Sequence, residues 1–116
     1  MRIIIAGGRK FNDYDLICRT CDKEFSLQTE IEIVSGTANG ADKLGERYAN
    51  EKGYPIKQFP ADWDKYGKSA GYKRNEEMAK YSDALIAFWD GKSKGTKHMI
   101  DLANRYKLEV TVVMYE

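Results

Sequence analysis

Residues of the types that bind ligands or catalyse reactions are concentrated in four short segments of the sequence. Each segment combines glycines with cationic, carboxylate or hydroxyl side chains, and the four are 7–9, 35–42, 62–75 and 90–96. Two of them contain glycine-rich turns, 36–40 and 91–96, in front of an expected helix. Such turns leave backbone N–H groups free where the helix dipole favours an anion. Either turn alone could be only a tight connection, but the two together, with Arg9 and Lys92 nearby, favour phosphate binding.

The predicted ligand-binding residues supply glycine and hydroxyl contacts for a phosphate, charged and polar side chains, and aromatic rings for a base. They are Gly7, Gly8, Arg9, Ser35, Gly36, Gly40, Asp42, Trp63, Tyr66, Lys68, Arg74, Asn75, Lys92, Ser93, Gly95 and Thr96. For Trp63 and Tyr66, stacking on a base and packing against the protein are equal alternatives. Arg74 is expected to open a helix, where a cation opposes the dipole unless an anion lies nearby. That anion is a ligand phosphate or, alternatively, a neighbouring carboxylate.

A hydrolase acting on an N-glycosidic bond is the second function that these residue types suit. The reaction needs a carboxylate near the anomeric carbon, to stabilise an oxocarbenium-like transition state or to activate water. The candidate carboxylates are Asp42, Asp62, Asp90 and Glu76. A ligand recovered intact would indicate binding alone, whereas a released base would indicate hydrolysis.

Familiar nucleotide motifs are excluded by their spacing. The first turn lacks the dinucleotide-binding pattern G-x-G-x-x-G, because Lys10 and Phe11 stand where its later glycines are needed. The segments 67–69 and 91–93 both read Gly-Lys-Ser but lack the upstream glycine of a phosphate-binding P-loop.

The sequence also predicts no metal and no cofactor. Cys18 and Cys21 fall on the apolar face of an expected helix, far from its N-terminus, so core packing is favoured over redox or zinc chemistry. His98 is the single histidine and has no clustered partner ligands.

Two hydrophobic periodicities alternate along the chain and predict the order β-α-β-α-β-α-β-α-β. The expected strands are 2–6, 31–34, 54–59, 84–89 and 109–115, and the expected helices are 12–28, 39–52, 73–81 and 95–107. The first and fourth strands are almost entirely apolar and suit the centre of a sheet, whereas the third carries Pro55 and Lys57 and suits an edge. The pattern predicts an α/β fold: one Rossmann-like three-layer domain over residues 1–116, with a five-stranded parallel sheet of order 3-2-1-4-5. The four segments then meet at the carboxyl edge of the sheet, where ligands bind in such folds.

Composition bounds the function further. The 116 residues are 42% hydrophobic, with 19 basic and 18 acidic side chains and a net charge of +1. This is typical of a globular protein, and the small net charge argues against duplex DNA as a partner, because duplex binding needs a basic surface. Because no apolar run approaches the length of about 18 residues that a membrane span needs, no membrane association and a cytoplasmic location are expected.

Five motifs spread over nearly the whole chain resemble the YspA-like proteins of the SLOG superfamily, which also holds the DprA and LOG proteins. The motifs are Ser35-Gly36-x-Ala38-x-Gly40-Ala41-Asp42, Phe59-Pro60-Ala61-Asp62-Trp63, Tyr66-Gly67-Lys68-x-Ala70-Gly71, Arg74-Asn75-x-x-Met78 and Phe88-Trp89-x-Gly91-x-Ser93-x-Gly95-Thr96. The resemblance implies a Rossmann-like fold without the dinucleotide fingerprint and a nucleotide-derived ligand at the loop edge. Relatives act as ligand sensors, as phosphoribohydrolases or as single-strand DNA binders, and they are often dimers or larger, which allows a homodimer here.

The sequence departs from the phosphoribohydrolase pattern P-G-G-x-G-T-x-x-E of LOG proteins. Asp90 replaces the proline, and Met99 stands where the resemblance implies the catalytic glutamate. We therefore expect a binding module for a nucleotide or nucleotide sugar, with hydrolysis as the alternative. Single-strand nucleic-acid binding is a weaker third option, since the net charge is small.

Overall fold

The computed structural model describes residues 1–115 and shows five strands and five α-helices. The strands are β1 (Arg2–Gly7), β2 (Glu32–Ser35), β3 (Ile56–Gln58), β4 (Ala84–Trp89) and β5 (Glu109–Met114). The helices are α1 (Tyr14–Glu24), α2 (Ala41–Lys52), α3 (Trp63–Tyr66), α4 (Ala70–Tyr81) and α5 (Lys94–Arg105), with a 3₁₀ turn at Gly67–Ser69 between α3 and α4.

All five strands form one parallel sheet in the order β3-β2-β1-β4-β5, which confirms the predicted architecture. In the register, Ile4 of β1 lies between Val34 of β2 and Leu85 of β4. All three side chains are fully buried. The short strand β3 and the alternating strand β5 form the two edges. The order reverses direction between β1 and β4, and this switch point is where such sheets leave a crevice for ligands.

The sheet is covered on both faces, because successive side chains of each strand point to opposite sides. Ile3 and Ile5 pack into a cluster with α1 and α2. Ile4 and Ala6 pack into a second cluster with α4 and α5. Two apolar layers around one sheet account for the almost unbroken apolar sequence of β1 and β4.

Three helix beginnings differ from the expected ones. Helix α1 is capped by Asp13 rather than Asn12: the Asp13 Oδ1 accepts a hydrogen bond of 3.0 Å from the backbone N–H of Leu16. Helix α2 begins at Ala41. Helix α4 begins at Ala70, so Arg74 lies in its second turn and does not open the helix as expected. The polar stretch 60–71 hid this start, because it lacks apolar periodicity although α3 and the 3₁₀ turn lie within it.

Within residues 1–115, no helix has the length and apolar character needed to cross a bilayer.

Candidate functional site

A cavity of about 460 Å³ opens at the carboxyl edge of the sheet, at the switch point between β1 and β4. It is enclosed by the loops after β1, β2 and β4 and by the segment from α3 into α4. Eleven of the predicted binding residues line it: Gly7, Gly8, Arg9, Asp42, Trp63, Lys68, Arg74, Asn75, Ser93, Gly95 and Thr96. Asp90, a candidate catalytic carboxylate, lines it as well. The structure thus brings together side chains that are more than eighty residues apart in the sequence.

Five predicted binding residues do not line this cavity. Ser35 is buried and serves the fold, since its hydroxyl donates to Glu46 Oε2 (2.6 Å) and accepts from the N–H of Thr37 (3.1 Å). Tyr66 lines a neighbouring depression, where the ammonium groups of Lys65 and Lys73 lie 5.1 and 4.9 Å from its ring centre. The other three are Gly36, Gly40 and Lys92.

Two of the four candidate catalytic carboxylates also lie outside the cavity. Asp62 caps α3, accepting from the N–H of Lys65 at 3.1 Å, and lines the same depression as Tyr66. Glu76 pairs with Lys80 on the partly exposed face of α4, at 3.5 Å. Only Asp42 and Asp90 remain as carboxylates of the cavity wall.

The first donor of α2 is taken up by the protein itself, and the turn before this helix is closely packed. The N–H of Ala41 donates to the carbonyl oxygen of Gly8 at 3.2 Å, and the N–H of Ala38 donates to Asp42 Oδ2 at 3.2 Å. Gly40 has φ +79°, and a side chain on it would clash with the Gly8 carbonyl oxygen. This turn therefore packs against the loop that follows β1, and its first donor is not available to an anion.

The N-terminus of α5 remains open to the cavity. Asp90 Oδ1 accepts from the N–H groups of Lys92 and Ser93, both at 2.8 Å, and the Ser93 hydroxyl caps the N–H of Thr96 at 3.4 Å. In the part of the chain that the structure describes, the N–H groups of Lys94 and Gly95 have no acceptor. Open space lies over Gly95 where a side chain would stand. Of the two predicted phosphate turns, this one has two free donors together with open space over its glycine.

Arg74 lies at the wall of the cavity and holds two elements together. Its Nη1 donates to the carbonyl oxygen of Gly36, in the loop after β2, and its Nε donates to Asn75 Oδ1 at 3.0 Å. Burial lowers the pKa of the guanidinium, and the charge of Asp42 opposes this. The hydrogen-bond partners inside the protein are a carbonyl and an amide rather than the neighbouring carboxylate that was one alternative from the sequence, and the ligand phosphate stays a prediction.

The pKa values of the two cavity carboxylates are shifted in opposite directions. Burial raises the pKa of Asp42 to about 6, against the hydrogen bond from Ala38 and the charges of Arg74 and Arg9. The N–H groups of Ser93 and Lys92 lower the pKa of Asp90. Near neutral pH, Asp90 is therefore ionised, whereas a modest fraction of Asp42 is protonated.

Several lining residues were not predicted. They are Ala6, Lys10, Ala38, Gly71, Tyr72, Met78, Met99 and Tyr115. Tyr72 is 48% exposed and its ring meets the His98 ring edge-on at 4.5 Å. Tyr72 lies within the predicted segment 62–75, so the sequence already indicated that it is near the site. The Tyr115 hydroxyl lies over Gly8, and no sequence pattern near the end of the last strand indicated this contact.

The cysteines pack as expected. Cys21 is fully buried in the cluster beneath α1, and burial raises the pKa of its thiol to about 12. The thiolate needed for redox or metal chemistry is therefore suppressed. Among residues 1–115, no group of three or more histidine, cysteine, aspartate or glutamate side chains is arranged to hold a metal ion.

Comparison with known proteins identifies the family. The model of the YspA, cpYpsA-related SLOG family matches residues 1–66. The chain belongs to this family. A relative in Mycobacterium phage D29, the Gene 61 protein, is 31% identical over 116 aligned residues, which cover 94% of this chain and 93% of the relative.

A solved structure shares the fold of this SLOG family member. DNA processing protein A from Helicobacter pylori, described as binding single-stranded DNA, superposes with a TM-score of 0.70 at 20% sequence identity. The match covers all of this chain and 66% of the other. The likeness shows that the two proteins share the Rossmann-like architecture.

Proposed function

We propose that the protein binds a nucleotide or nucleotide-derived small molecule in the cavity at the switch point and acts as a binding or sensing module. The supporting observation is the joint presence, in one cavity, of an open helix N-terminus at Gly95, a guanidinium at Arg74 and an exposed indole at Trp63. The volume of about 460 Å³ lies within the range of small-molecule sites.

The phosphate of the ligand binds at the start of α5. The free N–H groups of Lys94 and Gly95 donate to it, and the helix dipole adds a favourable field. Lys68 and Arg9, both on the cavity wall and exposed, add charge-assisted hydrogen bonds.

The base of the ligand stacks on Trp63. This ring is 53% exposed, and it lies beside Gly71, where a side chain would be in van der Waals contact with the indole. An exposed large aromatic ring costs free energy in water, and a stacked base covers it.

The test is a panel of nucleoside mono-, di- and triphosphates and nucleotide sugars, screened by thermal shift and followed by calorimetry. We expect at least one compound to raise the Tm and to be recovered intact by chromatography. Lys68→Ala should weaken its binding about threefold or more, whereas Lys23→Ala, an equal charge change on α1 far from the cavity, should not. A panel without any stabilising compound, or equal affinities for the two variants, contradicts the proposal.

Hydrolysis of an N-glycosidic bond is the second candidate, and the pair of Asp42 and Asp90 favours it. Two carboxylates in one cavity, with pKa values moved in opposite directions, resemble the division between an acid and a base in glycosidases. Met99, at the position where LOG proteins carry a glutamate, is buried in the core at 1% exposure and supplies no acid. Release of free base, abolished by Asp90→Asn, would establish this activity.

Two further expectations are tested with the same sample. A fluorescent single-stranded oligonucleotide belongs in the panel because the Helicobacter pylori neighbour is described as binding single-stranded DNA. Competition between the oligonucleotide and the best nucleotide would place both in one site. The homodimer stays a prediction, which light scattering measures directly.

A further inference from the structure

A chain of side-chain hydrogen bonds links the cavity wall to the middle of α5. Arg74 Nε donates to Asn75 Oδ1 at 3.0 Å. Asn75 Nδ2 lies 3.4 Å from the carbonyl oxygen of Gly95 and 3.2 Å from His98 Nδ1. Asn75 itself is 7% exposed, so solvent does not replace these partners.

The neighbours of Asn75 determine which way its amide points. A guanidinium is only a donor, so the atom facing Arg74 is the amide oxygen. A carbonyl is only an acceptor, so the atom facing Gly95 is the amide nitrogen. Both partners require the same orientation, and His98 Nδ1 then meets an N–H donor. His98 must accept at Nδ1, and it is therefore neutral with its proton on Nε2.

Protonation of His98 conflicts with this arrangement. An imidazolium carries a proton on Nδ1, which would face the N–H₂ of Asn75. The conflict is relieved when the amide of Asn75 turns over, and its nitrogen then faces the Nε–H of Arg74. The guanidinium keeps its hydrogen bond to the carbonyl oxygen of Gly36 but loses the one from Nε, which fixes its orientation at the cavity wall.

We propose that Asn75 is a positioning residue that makes anion binding by Arg74 depend on a neutral His98. The inference rests on the proposed function, because it concerns how Arg74 is held beside the site of the ligand phosphate. Acidification weakens anion binding, which is the reverse of the ordinary effect, since added protons normally strengthen the attraction of a protein for anions.

The charges around His98 come from the two helices that flank it. On α5, Asp101 favours the imidazolium and Arg105 opposes it, and on α4 Glu76 favours it. Lys94 and Lys97 line the same surface depression as His98 and add positive charge. Burial is the largest influence and lowers the pKa of His98 below its usual value of 6.5.

The first experiment is ¹⁵N NMR of the imidazole, which is unambiguous because the chain contains a single histidine. We expect an unprotonated Nδ1, a protonated Nε2 and a pKa below 6.5. In Asn75→Asp, a carboxylate of the same shape accepts from both Arg74 and an Nδ1–H, so the pKa of His98 should rise by about one unit or more. A proton on Nδ1 in the wild type, or an unchanged pKa in Asn75→Asp, overturns the inference.

The second experiment measures sulfate affinity from the backbone N–H shifts of Gly95, at about pH 7.5 and about pH 5. Sulfate is the probe because its charge is constant over this range. Asp42 protonates in the same pH range and strengthens anion binding in every variant, so the effect of His98 is read against His98→Asn, which keeps an acceptor near the position of Nδ1 but does not titrate. Relative to His98→Asn, wild type should lose about fivefold in affinity at the lower pH, the effect expected from losing one hydrogen bond.

The outcomes separate this inference from the proposed function. If acidification changes the sulfate affinities of wild type and His98→Asn by the same factor, the role of Asn75 is wrong and the anion site is left intact. If sulfate does not perturb Gly95 at either pH, both the anion site and the inference fail.

Discussion

Replacing Asp42 by asparagine is expected to stabilise the protein at alkaline pH and to change its stability little in acid. Asp42 is 6% exposed, and burial raises its pKa from 3.8 to about 6. Because the native pKa lies above the unfolded one, the folded protein loses stability as pH rises from about 3.8 to about 6. Above that range the ionised carboxylate remains a cost to folding, and the asparagine removes it.

The size of the effect follows from the difference between the two pKa values. A difference of about two corresponds to ~3 kcal/mol in the free energy of unfolding. Asp42 lies in the first turn of α2, where the helix dipole favours a negative charge by about 0.3–1 kcal/mol. We therefore expect a gain of about 2 kcal/mol at about pH 8. The asparagine oxygen retains the hydrogen bond from the N–H of Ala38, so packing is conserved.

Urea unfolding followed by tryptophan fluorescence at about pH 8 and about pH 4 measures the gain. The matched control is Asp15→Asn on the exposed surface of α1, where the ion pair with Arg19 contributes about 0.5 kcal/mol or less. If Asp42→Asn is no more stable than the wild type at alkaline pH, the guanidinium groups of Arg74 and Arg9 outweigh the burial. The assignment of a raised pKa to Asp42 would then be wrong.

Three further substitutions test the turns and the cavity. Gly40→Ala should lower the free energy of unfolding by about 2 kcal/mol or more. The control Gly53→Ala, at a glycine with a similar positive φ but open surroundings, should lower it by about 1 kcal/mol. Equal losses in urea unfolding would contradict the close approach of Gly40 to the preceding loop. Gly95→Leu should leave the stability of the free protein unchanged or raise it, because leucine favours helix. The same substitution should remove the thermal shift caused by the best nucleotide. A retained shift argues against phosphate binding at α5. Trp63→Ala should weaken nucleotide binding in calorimetry by about 1–3 kcal/mol. The control Tyr106→Ala, at the opposite edge of the sheet, should leave nucleotide binding unchanged. Equal affinities of the two variants would rule out stacking on the indole.

The sheet could be predicted from the sequence because its signals are local. An unbroken apolar run such as Ile3-Ile4-Ile5 has to be buried on both faces, which places β1 at the centre of a parallel sheet. Pro55 and Lys57 indicated an edge in the same way. Once the strand order is known, the carboxyl edge and the segments that meet there follow from the direction of the chain.

Whether each turn has room for a ligand depends on contacts between distant parts of the chain. The glycine-rich turns before α2 and α5 look alike in sequence, yet open space lies over Gly95 and not over Gly40. The carbonyl of Gly8, more than thirty residues away from Ala41 in the chain, takes up the first free donor of α2. A local pattern shows that donors exist, but it cannot show which part of the folded chain reaches them.

The sequence by itself determined the fold, the edge of the sheet that carries the site and most of the residue types around the cavity. Only the tertiary structure decided how those residues act. Asp42 is buried among distant side chains, which moves its pKa, and Asn75 meets His98 across two packed helices. Hydrogen bonds and desolvation depend on distances of a few ångströms between elements, and residue spacing along the chain does not contain those distances.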